Sequence, residues 1–182
     1  MASAFGHACA ALTLGKVYTN KRLPILFWVL TIICSIIPDA DVIGFKFHID
    51  YASTFGHRGF THSILFALIM GFIATFIFTK LSSVSKKQNW KFVVYFFLVT
   101  LSHSLLDACT TGGLGVAFFS PFSNHRYFFP WFFRRIKVSP IEVHSFFSDW
   151  GVKVLFSEFI WIGLPSLAII VITHYIRKKK HA

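Results

Sequence analysis

Acidic side chains are scarce in this chain: seven Asp and Glu stand against eighteen Lys and Arg in 182 residues, a formal net charge of +11. Charge of either sign is thin, at 14% of residues, whereas soluble domains carry about 25%. That excludes an ordinary water-facing surface. Cysteine is almost absent. Cys9, Cys34 and Cys109 lie in or beside apolar runs with no CxxC spacing, which excludes a disulfide framework and a thiolate zinc site. They read as small buried hydrophobes. No low-complexity linker and no internal repeat divides the chain, so residues 1–182 form one domain.

What is abundant is apolar surface. Hydrophobic residues make up 55% of the chain, phenylalanine alone occurs 24 times, and the mean hydropathy is +0.64. One small core cannot bury that much, so lipid is the solvent for the remainder.

Five apolar segments follow one another: Ala2 to Val17, Leu23 to Ile37, Ser63 to Leu81, Phe92 to Leu106 and Val154 to Ile176. Crossing the hydrocarbon as a helix takes about 20 residues. The third and fifth segments meet that length, while the others are short and either re-enter or extend into their flanks. Pro165 predicts a kink in the fifth. The first lacks a basic stretch ahead of its apolar run and is interrupted by His7, so it reads as retained rather than as a signal peptide. The expected fold is all-α: a polytopic transmembrane helical bundle of four to five membrane segments.

The charges sort by loop. Lys16, Lys21 and Arg22 lie between the first two segments, Lys80, Lys86, Lys87 and Lys91 between the third and fourth, and Arg177 to Lys180 after the fifth. These regions hold eleven bases and no acid, while all seven acids fall in or near the opposite loops. The positive-inside rule places the Lys-rich side in the cytoplasm and the acid-bearing side on the extracytoplasmic face of the membrane. The bases therefore face anionic lipid headgroups, and nucleic acid is not the expected partner.

Ionisable groups at membrane depth are costly and mark functional sites. Pro38-Asp39-Ala40-Asp41 closes the second segment, and in an extended stretch its two carboxylates project to one side. His57-Arg58-Gly59-Phe60-Thr61-His62-Ser63 opens the third, with Gly59 predicting a turn and Thr61 or Ser63 a helix cap. His103 and Asp107, four residues apart, share one helical face at the end of the fourth. Either both ligate a metal, or Asp107 orients His103; the plainer alternative is a hydrogen bond that packs two helices. With His7 these residues form a mixed N/O donor set that suits one or two divalent ions, zinc or manganese foremost, with iron also admitted. Paired metals commonly serve phosphoester hydrolysis.

The bases nearby complete a chemical reading. Arg58 sits between two candidate ligands and suits a substrate phosphate or a developing oxyanion. Arg126 lies in an aromatic, arginine-containing stretch that suits phosphate binding, and Arg134 and Arg135 read as snorkelling anchors. The glycine-rich run from Gly112 to Gly115 permits close backbone approach to a ligand, or a plain turn. Glu158, near Trp161, is an outlying candidate. His48, His144, His174 and His181 have no partner at a useful spacing.

Gly6-His7, Pro38-Asp39-Ala40-Asp41, the His57 to Ser63 block and Ser102-His103-Ser104-Leu105-Leu106-Asp107 occur in that order. The set resembles the membrane-bound metal-dependent hydrolase family, which includes the LexA-regulated inner-membrane hydrolase-like proteins. Pro121-Phe122-Ser123 and Arg126-Tyr127-Phe128 resemble one branch of it. Ala40 stands where many relatives carry a branched apolar residue, which touches packing and not the carboxylates. The resemblance implies a hydrolase whose metal ligands fall on His7, Asp39, Asp41, His57, His62, His103 and Asp107. On this reading Asp41 is the general base, Arg58 stabilises negative charge, and the location suggests a lipid or lipid-linked ester as substrate. The rival readings are a metal transporter or sensor, and a structural protein whose metal only joins helices.

Overall fold

A computed structural model of the chain describes residues 1–82, 89–141 and 143–180. Lys86 and Lys87, assigned above to the cytoplasmic loop, Glu142 and His181 lie outside the described residues. Among the described residues, seven α-helices follow in order: α1 Ala4–Tyr18, α2 Ile25–Ile36, α3 Ile64–Leu81, α4 Asn89–Ala108, α5 Val143–Phe146, α6 Asp149–Glu158 and α7 Leu164–Lys180. No strand forms among the described residues; only two isolated bridges, Thr110 with Ile136 and Val116 with Tyr127, tie the loop after α4.

Four continuous helical stretches are long and apolar enough to cross a bilayer: Ile25–Phe47, Ile64–Leu81, Asn89–Ala108 and Asp149–Lys180. The α1 helix is the fifth member of the bundle. Its 15 residues rise about 22 Å, less than the ~30 Å hydrocarbon layer. It packs against α2, α4 and α7 through small residues on different sides, Gly6 facing Glu158 and Ile162 and Gly15 facing Trp28 and Tyr95.

The sequence accounts for the helix ends. Ser3 caps α1 by accepting from the Gly6 amide, and Ser63 caps α3 by accepting from the Phe66 amide at 3.0 Å. Thr61, the other cap candidate, is engaged elsewhere. Between α6 and α7 the helix widens into a π turn at Phe159–Gly163, immediately before Pro165. A proline that donates no amide hydrogen bond is accommodated by such local widening, so the interruption expected at Pro165 falls in the turn preceding it.

Where α2 ends, Ile37–Phe47 continues as a 3-10 helix with Pro38 in its first turn. This corrects the extended geometry expected for Pro38-Asp39-Ala40-Asp41. At 3 residues per turn, Asp39 and Asp41 point about 120° apart rather than to one side.

The core lies between α1, α2, α3 and α4. Phe27, Phe78, Phe92, Tyr95 and Phe96 interlock there, with Cys34 and Ala74 filling the gaps. Phe27 and Tyr95 stack at 4.8 Å, and the Thr31 hydroxyl meets the Tyr95 hydroxyl at 2.9 Å. The α3 and α4 helices come together at Gly71, where an added Cβ would stand 2.8 Å from the Val93 carbonyl oxygen. Phe72, Phe76, Leu167, Val171 and Ile172 remain exposed on the outside of the bundle, as lipid-facing residues do. All three cysteines are free, with Cys34 buried and Cys9 and Cys109 half-buried.

Candidate metal centre

Each helix of the bundle runs between the same two ends, and one of those ends gathers every candidate ligand. The α1 helix begins there with His7. The 3-10 extension of α2 begins there with Asp39 and Asp41. Phe60–His62 forms a single 3-10 turn leading into α3, and the last turns of α4 deliver His103 and Asp107.

Asp39, His62, His103 and Asp107 each place one ligand atom within 4.8 Å of all the others. His103 Nε2 lies 3.0 Å from His62 Nε2 and 3.4 Å from Asp39 Oδ1. His62 Nε2 lies 3.5 Å from Asp39 Oδ1 and 3.5 Å from Asp107 Oδ2. Of these four side chains only Asp39 is exposed at all, at 12%. The other nitrogen of His103, Nδ1, meets the Ser35 carbonyl at 2.7 Å. A proton held on Nδ1 leaves Nε2 as a lone pair facing the cluster, the usual arrangement behind a ligating imidazole. Asp107 is therefore not the group that orients His103; both face the same point.

His7 borders this set. Its ring stacks on His103 at 3.7 Å, and Nε2 lies 3.4 Å from Asp107 Oδ1 and 3.9 Å from Asp39 Oδ2. Both His7 nitrogens, Asp39 Oδ1 and Asp107 Oδ2 are buried without hydrogen bonds, Asp107 Oδ2 having its ion pair with Arg58 Nε at 3.0 Å. Buried polar atoms are ordinarily satisfied. Imidazole and carboxylate atoms left open toward one point are a fit for a divalent cation.

Asp41 and His57 stand behind the first group. Asp41 Oδ1 meets His57 Nδ1 at 2.6 Å; Oδ2 accepts from the Arg58 amide at 3.1 Å and the Thr61 hydroxyl at 2.6 Å, and lies 3.2 Å from His62 Nδ1. Asp41, His57 and His62 form a second grouping able to hold an ion. Both oxygens of Asp41 are nonetheless already engaged, and its contact with His62 Nδ1 leaves Nε2 of that ring for the first group. Burial holds the His57 imidazole below its ordinary pKa despite Asp41. At His62 burial acts in the same direction, but Asp107, Asp39 and Asp41 outweigh it and raise the ring to about 10. Without an ion, a proton on His62 supplies the positive charge that three carboxylates require.

Arg58 and Arg126, read from the sequence as phosphate contacts, are both bonded to the protein. Arg58 is fully buried. Its Nε lies 3.0 Å from Asp107 Oδ2, Nη1 donates to the Gly112 carbonyl at 2.9 Å, and Nη2 donates to the Thr110 hydroxyl at 3.0 Å. Its backbone is left-handed, with φ at 62°, a costly conformation for a long side chain. Gly113 (φ +87°) passes so close that a Cβ there would meet Arg58 Nη1 at 2.7 Å, which accounts for the glycine-rich run. Arg126 donates to the carbonyls of His57, Tyr51 and Ser53 and pins the loop that carries His57. Arg134 lies over the Phe128 ring at 3.8 Å and donates to the Thr110 carbonyl, in keeping with an anchor.

Several contributors had little or no sequence signal. The Ala2 amide donates to Asp107 Oδ1 at 2.7 Å. The Ser3 amide and hydroxyl both donate to the buried carboxylate of Glu158. Glu158, an outlying candidate by sequence, thus fixes the start of α1 and with it the approach of Ala2 and His7. Ser35 acts through its carbonyl, which no side-chain pattern reveals. Thr61 is the one whose position, inside the His57 to Ser63 block, was suggestive.

The descriptive model of YdjM inner membrane proteins matches residues 1–180. The chain belongs to the YdjM inner membrane protein family. Inner membrane protein YbcI of Escherichia coli (strain K12) is 37% identical over 169 residues, covering 93% of this chain and 95% of that protein. No solved structure matches the chain. The four apolar helices accord with the membership, and this YdjM-family chain is a polytopic membrane protein carrying a buried His/Asp cluster that could hold a metal ion.

Proposed function

We propose that the protein is a metal-dependent hydrolase of the inner membrane, acting on a lipid or lipid-linked ester from the extracytoplasmic face. The observation that carries this reading is the convergence of Asp39, His62, His103 and Asp107 from three separated stretches of chain on one point, with Asp39 Oδ1 and the neighbouring His7 nitrogens buried there without hydrogen bonds. These four residues would hold one divalent ion, zinc or manganese, with His7 beside them. An ion held there lowers the pKa of water toward neutrality and polarises an ester oxygen.

The remaining residues would support that chemistry. Asp41 orients His62 and His57 rather than acting as a free base, because its oxygens are engaged. Arg58 neutralises Asp107 and holds it in place. His57 lines an opening of about 400 Å³ with Met1, Tyr51, Val138 and Pro140. That opening has apolar walls suited to an amphiphile, and a neutral His57 facing it suits proton transfer.

The burial of His62, His103 and Asp107 supports a second reading, an ion that only joins helices, since structural metal sites are closed. One experiment separates the two. Detergent-purified protein and its His103→Ala variant are analysed for metal and assayed on a panel of lipid phosphoesters with and without EDTA. The hydrolase reading expects bound metal and EDTA-sensitive turnover in the parent protein, both lost in a variant that stays helical. Metal without turnover, together with unfolding on chelation, selects the structural reading. Turnover indifferent to EDTA defeats both.

A further inference from the structure

The end of the bundle opposite the ligand cluster contains a cavity of about 860 Å³ between the α1–α2 turn and the last turns of α7. Its cationic walls are Lys16, Lys21, Arg22 and Lys178, and its apolar side is formed by Trp28 and Ile170. The segments that build it, residues 8–38 and 159–180, contain no Asp or Glu. None of the four cations is ion-paired among the described residues.

Arg177 plays a different part. It donates to the carbonyls of Lys16 at 2.8 Å and Val17 at 2.6 Å. These are carbonyls at the C-terminal end of α1, where a helix lacks internal partners and favours positive charge. The bonds clamp α7 to α1, so the two walls are held apart at a set distance. Lys16 lies over the Trp28 ring at 5.1 Å, an ammonium beside an indole as found at membrane interfaces.

We propose that this cavity binds the headgroup of an anionic phospholipid. The positive-inside rule alone asks only for bases near the helix ends. It does not ask for four of them around a concavity whose size falls within the roughly 300–1,000 Å³ of ligand sites. A phosphodiester meets Lys16, Lys21, Arg22 and Lys178. The acyl chains leave past Ile170 along the exposed apolar surface of α7, where Leu167 and Leu164 continue toward the bilayer interior. That exit makes lipid the occupant rather than free phosphate. Basic recesses between membrane helices on the cytoplasmic side take such headgroups. The proposal does not depend on the metal centre.

The test uses the full chain in phosphatidylcholine micelles doped with phosphatidylglycerol, with lipid adducts read by native mass spectrometry. Two charge-matched double variants are compared: Lys21→Gln with Arg22→Gln in the cavity wall, and Lys179→Gln with Lys180→Gln just outside it. All four residues are exposed, and circular dichroism checks that both proteins keep their helices. The expected result is a phosphatidylglycerol adduct on the parent protein, reduced about 20-fold by the wall pair and within about twofold of parent for the outside pair. Equal losses in the two pairs, no adduct on the parent, or an adduct no stronger than that of phosphatidylcholine would overturn the site. Soluble glycerol 3-phosphate binding as tightly as the lipid would overturn the lipid assignment.

Discussion

The two ends of this bundle handle charge in opposite ways. At the ligand end, four histidines, three aspartates and Arg58 are packed into the protein, and each carboxylate faces an imidazole, a cation or a donor. At the other end, Lys16, Lys21, Arg22 and Lys178 are all exposed and all of one sign. Burial magnifies each interaction and each unmade one. Exposure to water and headgroups leaves each charge cheap and replaceable. The same helices therefore carry a site that sequence change should disrupt at one end and a surface that should tolerate it at the other.

The sharpest way to break that contrast is at Arg58. Arg58→Ala leaves Asp107 buried without its guanidinium and removes the bonds to Thr110 and Gly112. Losing one member of a buried pair costs about 3–5 kcal/mol, and unfolding in detergent should show a midpoint lowered accordingly. Next comes Asp41→Asn, which keeps shape but weakens the group behind His62 and His57. Ion affinity should fall about 10–100-fold, read by competition with a chelator, while helicity stays intact. Glu158→Gln should act more mildly, costing about 1–2 kcal/mol and raising hydrogen exchange at the amides of Ala2 to His7. The exposed pair Lys21→Gln with Arg22→Gln should leave unfolding unchanged. A large destabilisation there would erase the distinction between the ends.

Much of this arrangement was legible in the residues. Segment three was readable almost to the residue, because Ser63 is a capping side chain and Lys80 follows an unbroken apolar run. The all-helical bundle followed from hydropathy, since lipid leaves helices as the simplest way to satisfy the backbone. His103 and Asp107 were readable as one face because four residues is a helical spacing. The Asp39 to Asp41 stretch was misread because Pro38 is compatible with an extended chain and with a 3-10 turn, and only packing against α4 and His62 decides between them. Arg58 was read as a substrate contact because it stands between two candidate ligands; its partner Asp107 lies far along the chain and gave no local signal. Arg126 was misleading for the same reason, its partners being backbone carbonyls with no sequence signature. Glu158 and Ser3 meet across nearly the whole chain, and neither carries a motif.

Of the four side chains that converge between the helices, Asp39 alone is open to the outside, while His62, His103 and Asp107 are sealed. A cation held there would exchange with the surroundings past Asp39, so its occupancy would respond slowly to a change of medium.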